Sequence, residues 1–236
     1  MPNIVDGALV AVLVIWSIWD HFVAWPRFAR DAAAGRPGAR TRHYGGIGIA
    51  EWVFAAAILA TWAHFHRPPD RLGLAVPAGV RLLAGGVVCA VAAGLLLLQF
   101  FQIRALTPER RARARARLSG PVLALLPHTP AESAAFTALS LTAGFCEELM
   151  ARGYLIWFFA AWTGTWPALV ISSVLFGLAH GYQGRSGVLK TGAVGLAMGL
   201  LYLGTRSLLP GMLMHALIDV GSGLAGYALV RETPAA

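Results

Sequence analysis

Long apolar runs, broken only by short arginine-bearing segments, leave this chain few ways to fold. A helix needs about 20 apolar residues to cross the hydrocarbon of a bilayer. Inside lipid every backbone N–H and C=O must find its partner within the chain, so only helices and closed barrels can span it. Seven runs of helical length read as spans: 4–25, 47–64, 80–103, 132–162, 167–180, 188–203 and 210–230. The expected fold is all-α, a polytopic membrane helical bundle of about seven transmembrane helices. Composition agrees, because 57% of the 236 residues are hydrophobic and only 13% are charged. The mean hydropathy of +0.64 excludes an ordinary soluble core.

The net charge of +8 comes from 18 Arg and one Lys against 11 acids. On a soluble protein it would suggest nucleic acid. Here the arginines sit between apolar runs, which points to lipid headgroups and topology, with no nucleic-acid partner. Counted by alternating sides, Arg27, Arg30, Arg36, Arg40, Arg42, the six arginines from Arg104 to Arg117, Arg185, Lys190 and Arg231 share one side. Arg67, Arg71, Arg81 and Arg206 share the other. Under the positive-inside rule the N-terminus lies outside and the C-terminus in the cytoplasm. No basic stretch precedes the first run, so that run is expected to be a permanent span and not a cleaved signal. Cys89 and Cys146 fall within apolar runs and form no disulfide framework.

The chemistry concentrates in Gly144-Phe145-Cys146-Glu147-Glu148-Leu149-Met150-Ala151-Arg152-Gly153. Ionised groups at bilayer depth are costly and rare, so they are functional candidates. Glu148 and Arg152, spaced i, i+4, share a helix face and can neutralise each other. Glu147 is turned about 100° away and can point elsewhere. That leaves one acid and one base for structure and one acid for chemistry. The alternative is an ion-paired cluster that only locks helices together. Three further polar groups lie at depth: His180, closing the fifth span, and His215 with Asp219, again i, i+4, in the seventh. Asp219 is placed to orient the His215 imidazole. Asp20 and His21, late in the first span, read as interfacial groups, with partnership to the site as the alternative. Glu51, early in the second span, is expected at headgroup level.

A carboxylate in an apolar cavity can serve as general base, with a histidine orienting the same water and a second histidine donating to a developing oxyanion. Such a set suits hydrolysis of an amide by activated water. Cys146 adjoins Glu147, but neighbours on a helix do not face each other, which disfavours a cysteine nucleophile. A metal is the other chemistry. Two histidines and a carboxylate can hold Zn²⁺ with a position open for water, although the His-Glu-x-x-His pattern is missing.

In this order and on successive late spans, Glu147-Glu148-x-x-x-Arg152, Phe176-x-x-x-His180 and His215-x-x-x-Asp219 resemble the family of CAAX prenyl endoproteases and bacteriocin-processing enzymes, the CPBP or Abi family. The resemblance covers about 136–230. It implies that Glu147 and His180 activate water, that His215 and Asp219 line the oxyanion side, and that Glu148 and Arg152 hold the site together, with Arg152 within reach of the oxyanion. It also implies a glutamate-dependent mechanism with no cofactor. The family pattern ends in Asn or Asp, and an ionised Asp219 cannot donate to an oxyanion. Either it is protonated, or it orients His215, or it favours a metal.

The chain is thus expected to be an intramembrane endopeptidase with an N-terminal three-span region, 1–120, and a CPBP-like catalytic core, 121–236. Its substrate would be a membrane-anchored protein or peptide, in a processing, sorting or maturation role rather than strict CAAX processing. The Ala- and Arg-rich chain reads as bacterial, in the inner membrane. The rival readings are a non-catalytic scaffold or bacteriocin-immunity protein, and an ion-coupled transporter, which should show inverted repeats. Gly192, Gly195 and Gly199 of the sixth span form a small-residue face that suits helix pairing, and so a homo-oligomer.

Overall fold

The computed structural model describes residues 1–118 and 120–231, and among these the chain is helical, with no strand. Nine helices follow one another: α1 (Ile4–Ala33), α2 (Ala39–His64), α3 (Val80–Arg104), α4 (Pro108–Ala116), α5 (Gly120–Leu125), α6 (130–163), α7 (Thr165–Ala179), α8 (Gly184–Thr205) and α9 (Leu209–Val230). Two of them contain a π turn, Asp20–Ala24 within α1 and Leu149–Leu155 within α6. Five helices, α1, α2, α3, α8 and α9, are long and apolar enough to cross a bilayer. The other two expected spans coincide with α6, which carries the acid pair, and with α7, which has only 15 residues. At ~1.5 Å per residue α7 reaches about 22 Å, short of the ~30 Å hydrocarbon.

The polarity is that of a protein in lipid. Leu82, Leu83, Val87, Val91, Leu95 and Leu98 lie exposed along α3, while Asp6, Glu51, Glu148, Arg152 and His215 are buried. Contacts between helix ends sort the chain into two faces. At one end the N–H of Leu208 donates to Gly73 O at 2.8 Å, and the Ser207 hydroxyl donates to Ala75 O at 2.6 Å. At the other, Arg40 donates to Ala124 O at 2.9 Å, Tyr44 to Leu125 O at 2.5 Å and Arg111 to Ala228 O at 2.6 Å. These groupings are those on which the arginine count relied.

Two boundaries differ from expectation. The segment 26–46 is not a loop. Helix α1 continues past Pro26 to Ala33, and α2 already starts at Ala39, so the turn is only Ala34–Gly38, with Gly35 and Gly38 at positive φ. Alanine and arginine are good helix formers, and charge outside the hydrocarbon does not end a helix. Glu51 thus lies twelve residues into α2 and is buried, not exposed at a helix start. The small-residue face of α8 is also taken up within the chain: Gly192 faces Ser173 and Gly177 of α7, Gly195 faces Phe176 and Arg152, and Gly199 faces Leu169.

Helix starts are written locally. Thr129 and Glu132 form a capping box before Pro130, which opens α6. Asn3 and Asp6 form the corresponding box on α1. Asp6 is fully buried and does more: it meets Arg67 through two bonds of 2.7 Å and accepts from the Tyr154 hydroxyl at 2.9 Å. Arg67 also lies over the Trp157 ring at 4.7 Å. This network ties α1, the 65–79 connection and α6 together at the face opposite the arginine-rich end. Removing one partner of a buried pair leaves the other charge unpaired, at a cost of about 3–5 kcal/mol. Asp6→Ala should therefore lower the midpoint of thermal unfolding in detergent sharply, whereas exchange of the exposed Arg110 should leave it unchanged.

Candidate active site

The π turn of α6 begins directly after Glu148 and contains Arg152. Insertion of one residue per turn widens the helix and re-aims its side chains, a feature frequent at functional sites. Glu148 and Arg152 point into the bundle and are each 1% exposed. One Glu148 oxygen lies 2.9 Å from Arg152 Nη1 and accepts from His215 Nδ1 at 2.9 Å. The guanidinium lies over the Phe176 ring, 4.1 Å from its centroid. Glycine makes room for this pair on both sides, since a Cβ at Gly195 would come within 3.2 Å of Arg152 and one at Gly211 within 3.2 Å of Glu148.

Glu147 turns the other way, into a cavity of about 920 Å³ enclosed by α1, α2 and α5 to α9. Its Oε2 stands 3.9 Å from His180 Nε2 and 3.7 Å from His215 Nε2. His180 caps α7, and its Nδ1 donates to Phe176 O at 2.9 Å. That bond places the proton on Nδ1 and leaves Nε2 to face Glu147. The backbone of 181–183 bends at this depth, where irregular backbone is tolerated because it lines a cavity. Ile18 and Phe22 of α1 and Leu178 of α7 line the same cavity and are exposed on the outer surface. The cavity therefore reaches the lipid side of the bundle.

All six residues singled out in the sequence come together, though with some exchange of partners. His215 is oriented chiefly by Glu148, through the Nδ1 bond, while Asp219 Oδ2 lies 3.5 Å from the other ring nitrogen and lines the cavity. Arg152 does not line the cavity but lies behind the acid pair, so it is not brought to the oxyanion side. Cys146 is fully buried and also lies off the cavity. Asp20 and His21, on the π turn of α1, line it, and His21 packs against Gly181 beside His180. Among the described residues no group of three His, Cys, Asp or Glu side chains is arranged to hold a metal ion. The Nδ1 atoms of both histidines are already engaged.

The residue that sequence reasoning misplaced is Glu51. It is 7% exposed, lines the cavity, and its carboxyl lies within hydrogen-bonding reach of Glu147. The rule that singled out Glu147, an acid inside an apolar run, applied to Glu51 equally. Only the assumed helix start placed it at the surface.

The two helices that carry these groups approach most closely at Gly144, where a Cβ would stand 2.8 Å from Met212 O and 2.8 Å from the Ala216 methyl. Gly144→Ala should force α6 and α9 apart, at a cost of roughly 1–3 kcal/mol. It should separate Glu147 and Glu148 from His215. A lowered unfolding midpoint in detergent is the expected result.

Residues 129–221 match the family model described as Type II CAAX prenyl endopeptidase Rce1-like. The match starts at the cap of α6 and runs past Asp219, so it includes all six site residues and none of α1 to α5. It covers less than half of the chain. No curated protein and no solved structure matches the chain.

Proposed function

We propose that this integral membrane protein, whose residues 129–221 match the model of Rce1-like type II CAAX prenyl endopeptidases, is an intramembrane endopeptidase acting by glutamate-activated water. The observation that carries the reading is the convergence of Glu147 with the Nε2 atoms of His180 and His215 in a cavity that reaches the lipid side. Separations of 3.7 and 3.9 Å are too long for direct hydrogen bonds and suit a water held between the groups.

In the reaction the water oxygen bonds to the scissile carbonyl carbon and its proton passes to Glu147. The carbonyl π pair moves to oxygen, where His215, held by Glu148, donates. Collapse breaks the C–N bond, and the proton on Glu147 goes to the leaving nitrogen. His180 orients the water. Asp219 acts on the His215 ring, and Arg152 acts only through Glu148. Written this way, every step is carried by side chains of this chain and needs no cofactor.

The substrate is a membrane-anchored protein or peptide entering from the lipid side, where Ile18, Phe22 and Leu178 form the approach. Residues 121–236 form the catalytic core, and 1–120 completes the wall of its cavity. The arginine asymmetry supports a bacterial inner membrane with the N-terminus outside. A processing or maturation role suits that setting.

Glu147→Gln keeps the shape and removes the base. Loss of general-base catalysis costs about 10²- to 10⁴-fold. Mass spectrometry of membrane-protein termini should show uncleaved precursors accumulating in cells with the variant at equal expression. Identical termini would favour a scaffold. Cleavage by the purified enzyme should persist in EDTA or 1,10-phenanthroline, and loss restored by Zn²⁺ would transfer the mechanism to a metal.

A further inference from the structure

Glu51 lies outside the segment that the family model covers and takes no part in the reaction written above. It comes from α2, which packs on α6, and more than nine-tenths of it is buried. Its Oε2 is buried without a hydrogen-bonding partner among the described residues, and so is Oε2 of Glu147. Both carboxyls line one cavity and lie within hydrogen-bonding reach of each other. The titratable groups around Glu51 are Cys146 and Glu147 on α6 and His215 and Asp219 on α9, with His180 of α7 beyond Glu147.

Two carboxyls at this distance attract only when one holds a proton. Both ionised, they would repel in a site with little water to screen them. His215 donates its Nδ1–H to Glu148 and, as an imidazolium, turns Nε2–H toward Glu147, so the anion is the group that faces it and the proton sits on Glu51. Glu51 Oε2 is buried and meets no other hydrogen-bonding partner among the described residues, which leaves the Glu147 carboxylate as the group in its reach.

We propose that Glu51 is the positioning residue of the Glu147 base: as a protonated acid it donates to the Glu147 carboxylate and fixes its rotation toward His180 and His215. This role rests on the proposed peptidase reaction. It makes α2, outside the family segment, part of the working site. Glu51 keeps its proton through the cycle, so Glu147 alone takes the proton of water and passes it to the leaving nitrogen.

Infrared spectroscopy of the full-length protein in liposomes, without substrate, tests the pairing whether or not the chain is a peptidase. The carbonyl stretch of a protonated carboxylic acid should be present in the wild type. It should vanish in Glu51→Gln and shift in Glu147→Gln, and a spectrum without that band would overturn the proposal. Turnover of a fluorescence-quenched farnesylated CAAX peptide tests positioning. The side-chain amide introduced by Glu51→Gln still donates, so this variant should keep most of the wild-type kcat. Glu51→Leu cannot donate and should lose about 10- to 100-fold in kcat at unchanged KM. Equal losses in both variants, or none in Glu51→Leu, would overturn the role. If Glu51→Leu does not fold, the Glu51→Gln variant and the band still decide. If the wild type leaves the peptide uncut, the peptidase reading loses that support while the band still judges the carboxyl pair.

Discussion

The buried ion pair of Glu148 with Arg152 sets the terms for the rest of the bundle. An unpaired charge at bilayer depth costs several kcal/mol, so these two side chains must meet each other and little else can move around them. Arg152 is held between Glu148 and the face of Phe176, and Glu148 also takes the proton-bearing nitrogen of His215. Three helices, α6, α7 and α9, are thereby fixed in register by one carboxylate and one guanidinium. Glu147, the next residue along the backbone, gains its position from that fixture without being part of it. Its own contacts are loose, at 3.7 and 3.9 Å.

Irregular backbone occurs where the cavity needs it. The π turns of α1 and α6 both contribute to its wall, at Asp20–Ala24 and Leu149–Leu155. The early end of α7 leaves His180 and the 181–183 turn at depth. Each would expose unsatisfied backbone groups if it faced lipid. Here each lines the cavity, and Phe22 of the α1 turn also reaches the outer surface. On the lipid side α3 is regular and apolar from Leu82 to Leu98.

Much of this was legible in the sequence because two strong rules apply in a membrane. Apolar run length gave the helices, and the rarity of charge at depth gave Glu147, Glu148, Arg152, His180, His215 and Asp219. The i, i+4 spacing paired Glu148 with Arg152 correctly. The same spacing suggested Asp219 as the orienting partner of His215, yet the closer bond comes from Glu148, 67 residues away in sequence. Helical spacing sees only neighbours on one helix and is blind to partners supplied by another. Glu51 was misplaced for a different reason. Arginines at Arg40 and Arg42 were read as the end of a loop, whereas a helix can extend beyond the hydrocarbon and carry charge there. Hydropathy locates the apolar part of a helix, not its first residue. Glu51 lies in the cavity wall, displaced from the surface by the packing of α2 on α6, a contact between helices that hydropathy does not report.

That displacement bears on how the work is divided along the chain. The family segment supplies the acid pair, the arginine and both histidines. The cavity in which they act is closed by residues outside it: Ile18, Asp20 and His21 from α1, Glu51 from α2 and Leu125 from α5. A bare catalytic core would present Glu147 to lipid on the side where α2 now stands, and a carboxylate facing hydrocarbon takes up a proton and ceases to be a base. The N-terminal helices therefore do more than anchor the core. They close the cavity on the side of α1 and α2 and bring Asp20, His21 and Glu51 into the same wall as Glu147 and His180.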